Sequence, residues 1–310
     1  MLAVKTPDAR AEGREALARK LAESLLDEIF RGLEGRYGGL LRRHASSLFR
    51  KAASRFAAFL ARADAAAGGG GLYTAALSML QDIQLPYRLL GEAHVPSEGP
   101  LIVASNHPAG YDMLVLAAGM RRKDLAVIAS DLPLYHEMKA VVPHIIGVSP
   151  GEGGRFTALR KAVAHLQAGG ALLQFPAGRI EADPQCEPGA SAGIQAWKPS
   201  LEVFLRKEPR TQLVLAMASG VLERRFRYSP VTWLRSHPKD KRRLAEFVQV
   251  SRMLLTGRKP RQATWVSFSE PMNLGELGGG EGHARILQSA QETLKEHLRW
   301  LAGDGLPALS

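Results

Sequence analysis

From Leu101 onward the chain alternates short apolar runs with helical stretches, and this alternation constrains the fold more than any other feature. The runs at 101–104, 125–129, 144–148, 171–175 and 212–218 read as strands, with helices at 110–120, 132–142 and 154–168 between them. Strands without polar alternation are buried on both faces, and strand–helix–strand order demands right-handed crossovers. A further strand at 264–268 and an amphipathic helix at 283–301 close the pattern. The predicted class is therefore α/β, a largely parallel sheet flanked by helices and preceded by an N-terminal helical segment.

The first 64 residues contain no proline after Pro7 and read as helices with breaks around Gly32 to Gly39. Between Leu40 and Ala63, Leu41, Ala45, Leu48, Ala52, Phe56, Phe59 and Leu60 recur at helical spacing, while Arg42, Arg43, Arg50, Lys51, Arg55 and Arg62 occupy other faces. Such a helix either packs on the main core with its basic face in water or lies on a membrane surface, and the two are compatible. Four consecutive glycines, Gly68 to Gly71, read as a flexible joint. The expected organisation is residues 1–71 as a helical, membrane-associating segment with a glycine-rich linker, and residues 72–310 as the α/β domain.

The chain carries 41 Lys and Arg against 30 Asp and Glu, a formal +11 that points toward phosphates in nucleic acid, lipid headgroups or a phosphorylated substrate. Residues 224–261 hold twelve Lys or Arg against Asp240 and Glu246, which is nearly the whole surplus. Phe226, Tyr228 and Trp233 are interleaved there, a mixture that suits a bilayer interface as well as single-stranded nucleic acid. No nucleic-acid motif accompanies it, so a nucleic-acid partner is not expected. Cys186 is the only cysteine, which excludes a disulfide framework and thiolate zinc and leaves the cytoplasm as the expected compartment. HExxH and spaced histidine pairs with a third donor are absent, so no metal is expected. Asp8, Glu12, Glu15 and Glu23 interrupt any early apolar core, and no window reaches 18 uninterrupted apolar residues. A peripheral position on the inner face of the membrane is the expectation.

Two segments carry candidate chemistry. In the first, the strand at Leu101 runs through Asn106-His107-Pro108-Ala109-Gly110-Tyr111-Asp112 into a helix start. Pro108 pushes His107 out of the helical region, so the imidazole stands at the carboxyl rim of the sheet, where open α/β sheets bind ligands. Asp112, folding back from the first helical turn, would accept from one ring nitrogen and leave the other as a base. The second segment is Phe175-Pro176-Ala177-Gly178-Arg179-Ile180-Glu181, a strand end followed by a turn on the same rim. Arg179 offers a fork of donors for phosphate and Gly178 allows close backbone approach; the plain alternative is a turn arginine paired with Glu181 or solvent.

Together these segments resemble the glycerolipid acyltransferase superfamily that includes lysophosphatidic acid acyltransferases, over roughly residues 85–275. That family's first motif is His-x4-Asp and its third is Phe-Pro-Glu-Gly-Thr-Arg. The resemblance implies that His107 is the general base taking a proton from an acceptor hydroxyl as it attacks an acyl thioester, and that Asp112 orients it. It implies an acyl group from coenzyme A or acyl carrier protein as co-substrate, no bound cofactor, and a lysolipid acceptor, 1-acylglycerol-3-phosphate foremost. Phe175, Pro176, Gly178, Arg179 and Glu181 become the acceptor-side residues, with Arg155 the next arginine after the counterpart of the second motif at Ile146 to Pro150. The chain departs from the family at Ala177, where the family has Glu, at Arg179-Ile180, where it has Thr-Arg, and at Leu215, where a proline is usual.

Gly189-Ala190-Ser191-Ala192-Gly193 matches the nucleophile elbow of α/β hydrolases, but loop residues Asp183 to Pro188 precede it where a strand is required. The glycine clusters Gly151 to Gly154 and Gly278 to Gly282 fit neither the dinucleotide fingerprint nor the phosphate loop. The competing function is a catalytically idle relative that binds lipid or nucleic acid through its basic surface.

Overall fold

A computed structural model describes residues 9–33, 46–235, 237–276 and 282–305. The helix break beyond Leu33, the basic helix from Leu40 to Ala45 and most of the glycine cluster at 278–282 lie outside the described residues.

Two long helices, α1 (Ala9–Leu33) and α2 (Ser46–Ile83), precede the sheet. The strands are β1 (Tyr87–Leu90), β2 (Leu101–Ser105), β3 (Leu125–Ser130), β4 (Ile145–Val148), β5 (Ala171–Gln174), β6 (Gln212–Ser219) and β7 (Thr264–Phe268). They form one sheet in the order β1-β7-β6-β2-β5-β3-β4. Every neighbouring pair is parallel except β6 and β7, which are antiparallel. The chain is thus α/β: an N-terminal helical segment followed by a mostly parallel sheet flanked by helices.

The period-2 rule sorts the strand residues between two apolar layers. Leu101, Val103, Leu173, Val214 and Ala216 face a core shared with α1, α2 and α3 (Asp112–Met120), including Leu21, Ala57, Leu60 and Leu116. Ile102, Ala104, Leu172, Leu213 and Leu215 face the opposite core with α5 (Glu152–Gln167), α6 (Ala190–Gln195), α7 (Ser200–Lys207) and α10 (Gly282–Gly303). Full burial of each such leucine or isoleucine contributes about 1.5–3 kcal/mol, so both layers hold the central strands in register.

The apolar stripe of α2 is used in this way: Ala53, Ala57 and Leu60 are buried, while Arg50 and Lys51 face solvent. At the glycine run the helix bends. Gly71 sits at φ +67°, and a Cβ there would lie 2.3 Å from the Lys123 carbonyl, so only glycine fits. Thr74 Oγ1 donates across the bend to the Ala66 carbonyl (2.7 Å) and the Gly71 carbonyl (3.0 Å).

Two elements differ from the sequence expectation. The helix expected over 132–142 is a short turn, α4 (Pro133–Glu137), followed by a 3-10 turn at Val142–His144; the amides of Ala140 and Val141, which a continuous helix would pair with carbonyls four residues back, donate instead to Asp64 Oδ1 on α2 (2.8 and 3.0 Å). Edge strand β1 escaped the apolar-run criterion because every other residue faces water. Between β6 and β7 lie a short helix α8 (Arg224–Arg227) and a long helix α9 (Pro238–Thr256).

Candidate active site at the carboxyl rim

Because β2, β5 and β6 are parallel neighbours, the segments that follow them emerge on one rim. Asn106, just past β2, is buried and pinned to β6: its side-chain carbonyl accepts from Ala218 N (2.8 Å) and its amide donates to Ala218 O (2.9 Å). His107 follows, and Pro108 holds it out of helical conformation. The helix begins at Asp112, four residues beyond Pro108, so Asp112 lies in its first turn, where the helix dipole favours a carboxylate. His107 Nδ1 lies 2.9 Å from Asp112 Oδ2 and 3.1 Å from Oδ1. The carboxylate is wholly buried and also accepts from Ala109 N (3.4 Å). With Nδ1–H donated to Asp112, neutral His107 carries its lone pair on Nε2. The imidazole is one-fifth exposed and stacks on Phe175, with ring centroids 4.1 Å apart.

The turn after β5 is tied to the same loop by Glu181. Its Oε2 accepts from His107 N (3.0 Å), its Oε1 accepts from Trp197 Nε1 (3.1 Å), and its own amide donates to the His107 carbonyl (2.8 Å). Gly193 makes room for it, since a Cβ there would lie 2.8 Å from Glu181 Oε1. Glu181 is thus a buried clamp on the backbone of His107. Pro176 is buried, and its carbonyl accepts from Lys198 N (3.2 Å). Gly178, at φ +63°, closes the turn by donating to the Phe175 carbonyl (3.0 Å). Arg179 is exposed at the tip and close enough to Glu181 to stabilise its charge. Lys198 Nζ lies beside Gly178, a second cation at this tip that the sequence reading missed. Arg155, exposed in the first turns of α5, follows β4 and so sits two strands further along the rim.

Two more carboxylates belong to the rim and were not legible as such. Asp183 is buried and accepts from four backbone amides, those of Gln185, Gly220, Val221 and Leu222, joining the segment after β5 to that after β6. Glu246, on α9, accepts from Gly110 N in the His107 loop. One turn on, the buried Gln249 amide donates to Tyr111 Oη and to the Val221 carbonyl, and Tyr111 Oη donates to that same carbonyl. Helix α9 therefore covers the His107 loop. Their sequence signal was faint: Glu246 is one of only two acids in the basic stretch, where it reads as an offset to charge.

Burial of the site sets its protonation. For His107, burial lowers the pKa, but the charge and hydrogen bond of Asp112, with Glu246 and Glu181, outweigh it and hold the ring above the ordinary histidine value. Burial pushes Glu181 up to about 7 against the donors Trp197 and His107 N, and likewise Glu246 to about 7 against Gly110 N. Asp183 is raised to about 6 by burial despite its four amides.

The remaining motifs lie elsewhere. Ser191 is in the first turn of α6 with a loop before it, and its hydroxyl donates to Gln291 Oε1 (2.9 Å). Among the described residues, no group of three His, Cys, Asp or Glu side chains is placed to hold a metal ion, and no helix is long and apolar enough to cross a membrane.

No protein-family model matches the chain, and no curated protein matches it. A solved structure with a similar course is the 1-acyl-sn-glycerophosphate (LPA) acyltransferase PlsC from Thermotoga maritima, at 15% sequence identity and a TM-score of 0.45, with 93% of this chain and 98% of that one covered.

Proposed function

We propose that the protein is an O-acyltransferase that moves a fatty acyl group from a coenzyme A or acyl carrier protein thioester to a hydroxyl of a lysophospholipid or related lipid acceptor, 1-acylglycerol-3-phosphate foremost. The observation that carries this reading is the His107–Asp112 pair at the rim, with Nδ1 engaged and Nε2 left for a substrate proton. In the reaction, Nε2 takes the acceptor hydroxyl's proton as its oxygen attacks the thioester carbonyl. Collapse of the tetrahedral intermediate forms the ester and breaks the C–S bond, and the imidazolium returns the proton to the departing thiolate. No covalent enzyme intermediate is needed. Phe175 and Glu181 keep the ring and its backbone in place, while Arg179, with Gly178 and Pro176 shaping the turn, binds the acceptor phosphate. Arg155 supplies a further cation along the same rim.

A peripheral position on the cytoplasmic face of the membrane fits the surface beside the site. Trp233 is 75% exposed and Tyr228 half exposed, with Val231 between them and Arg224 and Arg235 nearby in the chain. An aromatic tip flanked by cations suits an anionic bilayer interface.

The test is mass spectrometry of lipids formed when wild type and His107→Ala receive mixed acyl donors and a panel of lysolipids. A new diacyl product made by wild type alone is expected. Equal product from the variant refutes His107 as base, and vesicle binding without any product favours a catalytically idle lipid-binding protein.

A further inference from the structure

Behind helix α9 lies a small cavity of about 220 Å³ that takes no part in the chemistry above. Five cations from three separate stretches of chain line it: Arg225 on α8, Arg252 on α9, and Arg258, Lys259 and Arg261 on the loop leading into β7. Its one carboxylate, Glu223, is already engaged. Glu223 Oε2 lies 2.7 Å from Arg225 Nε, and Oε1 accepts from Arg225 Nη2 (3.0 Å) and from the Arg261 amide (3.2 Å). Among the described residues no carboxylate pairs with the side chains of Arg252, Arg258, Lys259 or Arg261.

Buried side chains with defined partners form part of the wall of this cavity. Buried Phe226 carries Arg225 over its ring at 4.7 Å and Arg252 at 5.8 Å. Gln249, fully buried, lines the cavity while its carbonyl accepts from Glu223 N (2.9 Å) and its amide holds Tyr111 of the His107 loop. Four cations without carboxylate partners converging on one concavity repel one another, and a compact anion placed among them relieves that repulsion. A volume below the usual range for drug-sized ligands suits a headgroup rather than a whole substrate. Arginine forks favour the oxygen geometry of phosphate over a point contact.

The geometry points to a binding site for a phosphomonoester dianion, built by Arg225, Arg252, Arg258, Lys259 and Arg261 and separate from the Arg179 tip. Because β7 runs antiparallel to β6, the loop that bears three of these cations opens on the same rim as His107. The acyl-transfer reading supplies two carriers of such a group, the 3′-phosphate of coenzyme A and the phosphate of a lysolipid; the site itself does not rest on that reading.

Calorimetric binding, without turnover, tests it in two arms on the full chain. One compares coenzyme A with dephospho-coenzyme A, and the other compares hexanoyl-glycerol-3-phosphate with hexanoylglycerol. In at least one arm the phosphate is expected to tighten binding tenfold or more in wild type, and the double variant Arg258→Gln/Arg261→Gln is expected to lose that gain with an unchanged melting temperature. The arm affected names the carrier. A remote pair of equal charge change, Lys161→Gln/Lys207→Gln, is expected to keep it. The site is overturned if neither arm shows phosphate discrimination, if the Arg258/Arg261 variant keeps it in both, or if the remote pair abolishes it equally.

Discussion

The corner where β2 meets β5 and the excursion between β6 and β7 share one rim but handle charge in opposite ways. In the corner, Asp112, Glu181 and Asp183 are buried and each is met by specific donors, so the position of His107 is determined from several directions. In the excursion, cations outnumber acids, and Arg224, Arg235, Arg258, Lys259 and Arg261 stand exposed. Buried matched charges fix a geometry because leaving any one unmatched costs several hydrogen bonds' worth of solvation. Exposed cations fix little but attract phosphates over a Debye length. On the reading proposed above, the first region would hold the reacting groups and the second would draw anionic ligands toward them.

The largest effect that would break this contrast is on catalysis alone. His107→Ala is expected to lower kcat/KM for acyl transfer by about 10²- to 10⁴-fold with vesicle binding unchanged; co-sedimentation measured beside the assay checks both halves. Asp112→Asn is expected to cost about 10²-fold and to move the pH profile. His107 acts as a base only when neutral, so wild-type activity rises with pH through a midpoint above 6.5, and removing the main cause of that elevation shifts the midpoint down. An unmoved midpoint would mean that Asp112 does not govern this ring.

Stability probes the clamp. Glu181→Ala strands Trp197 Nε1 and His107 N, and chemical denaturation is expected to read a loss of about 1–3 kcal/mol. Burial raises Glu181 from 4.5 to about 7, so the folded state binds the proton more tightly and this group's contribution declines as pH rises from 4.5 to 7. Glu181→Gln should flatten that part of the stability profile; a slope identical to wild type would place the ionisation elsewhere. Smallest is the surface effect. Trp233→Ala is expected to weaken partitioning into anionic vesicles roughly fivefold, as loss of about 1 kcal/mol of apolar burial implies, with no change in unfolding.

Much of the architecture was legible from sequence because central strands such as β2 and β6 are continuous apolar runs that only a doubly covered sheet can bury. β1 was not, since an edge strand with alternating exposure leaves little apolar signal. At the site, His107, Asp112, Phe175 and Glu181 stand out because they lie in the two segments that leave β2 and β5, and the structure brings these four together. Asp183, Glu246 and Gln249 did not, because each works by accepting or donating to backbone atoms distant in sequence, which spacing cannot reveal. Arg155, grouped with the acceptor-side residues as the next arginine after Ile146 to Pro150, follows β4, which strand order sets two strands from β5.

The antiparallel pairing of β6 with β7 makes everything from Gly220 to Ala263 a single long hairpin connection. Its two feet are adjacent, with Ser219 opposite Trp265, and the first foot is held by the Asp183 carboxylate. Loop closure grows only slowly in cost with length, so such a connection tolerates insertion and exchange without altering sheet register. The sheet thus leaves the length of this connection free, while Glu246 and Gln249 on α9 are the points at which its sequence answers to the His107 loop.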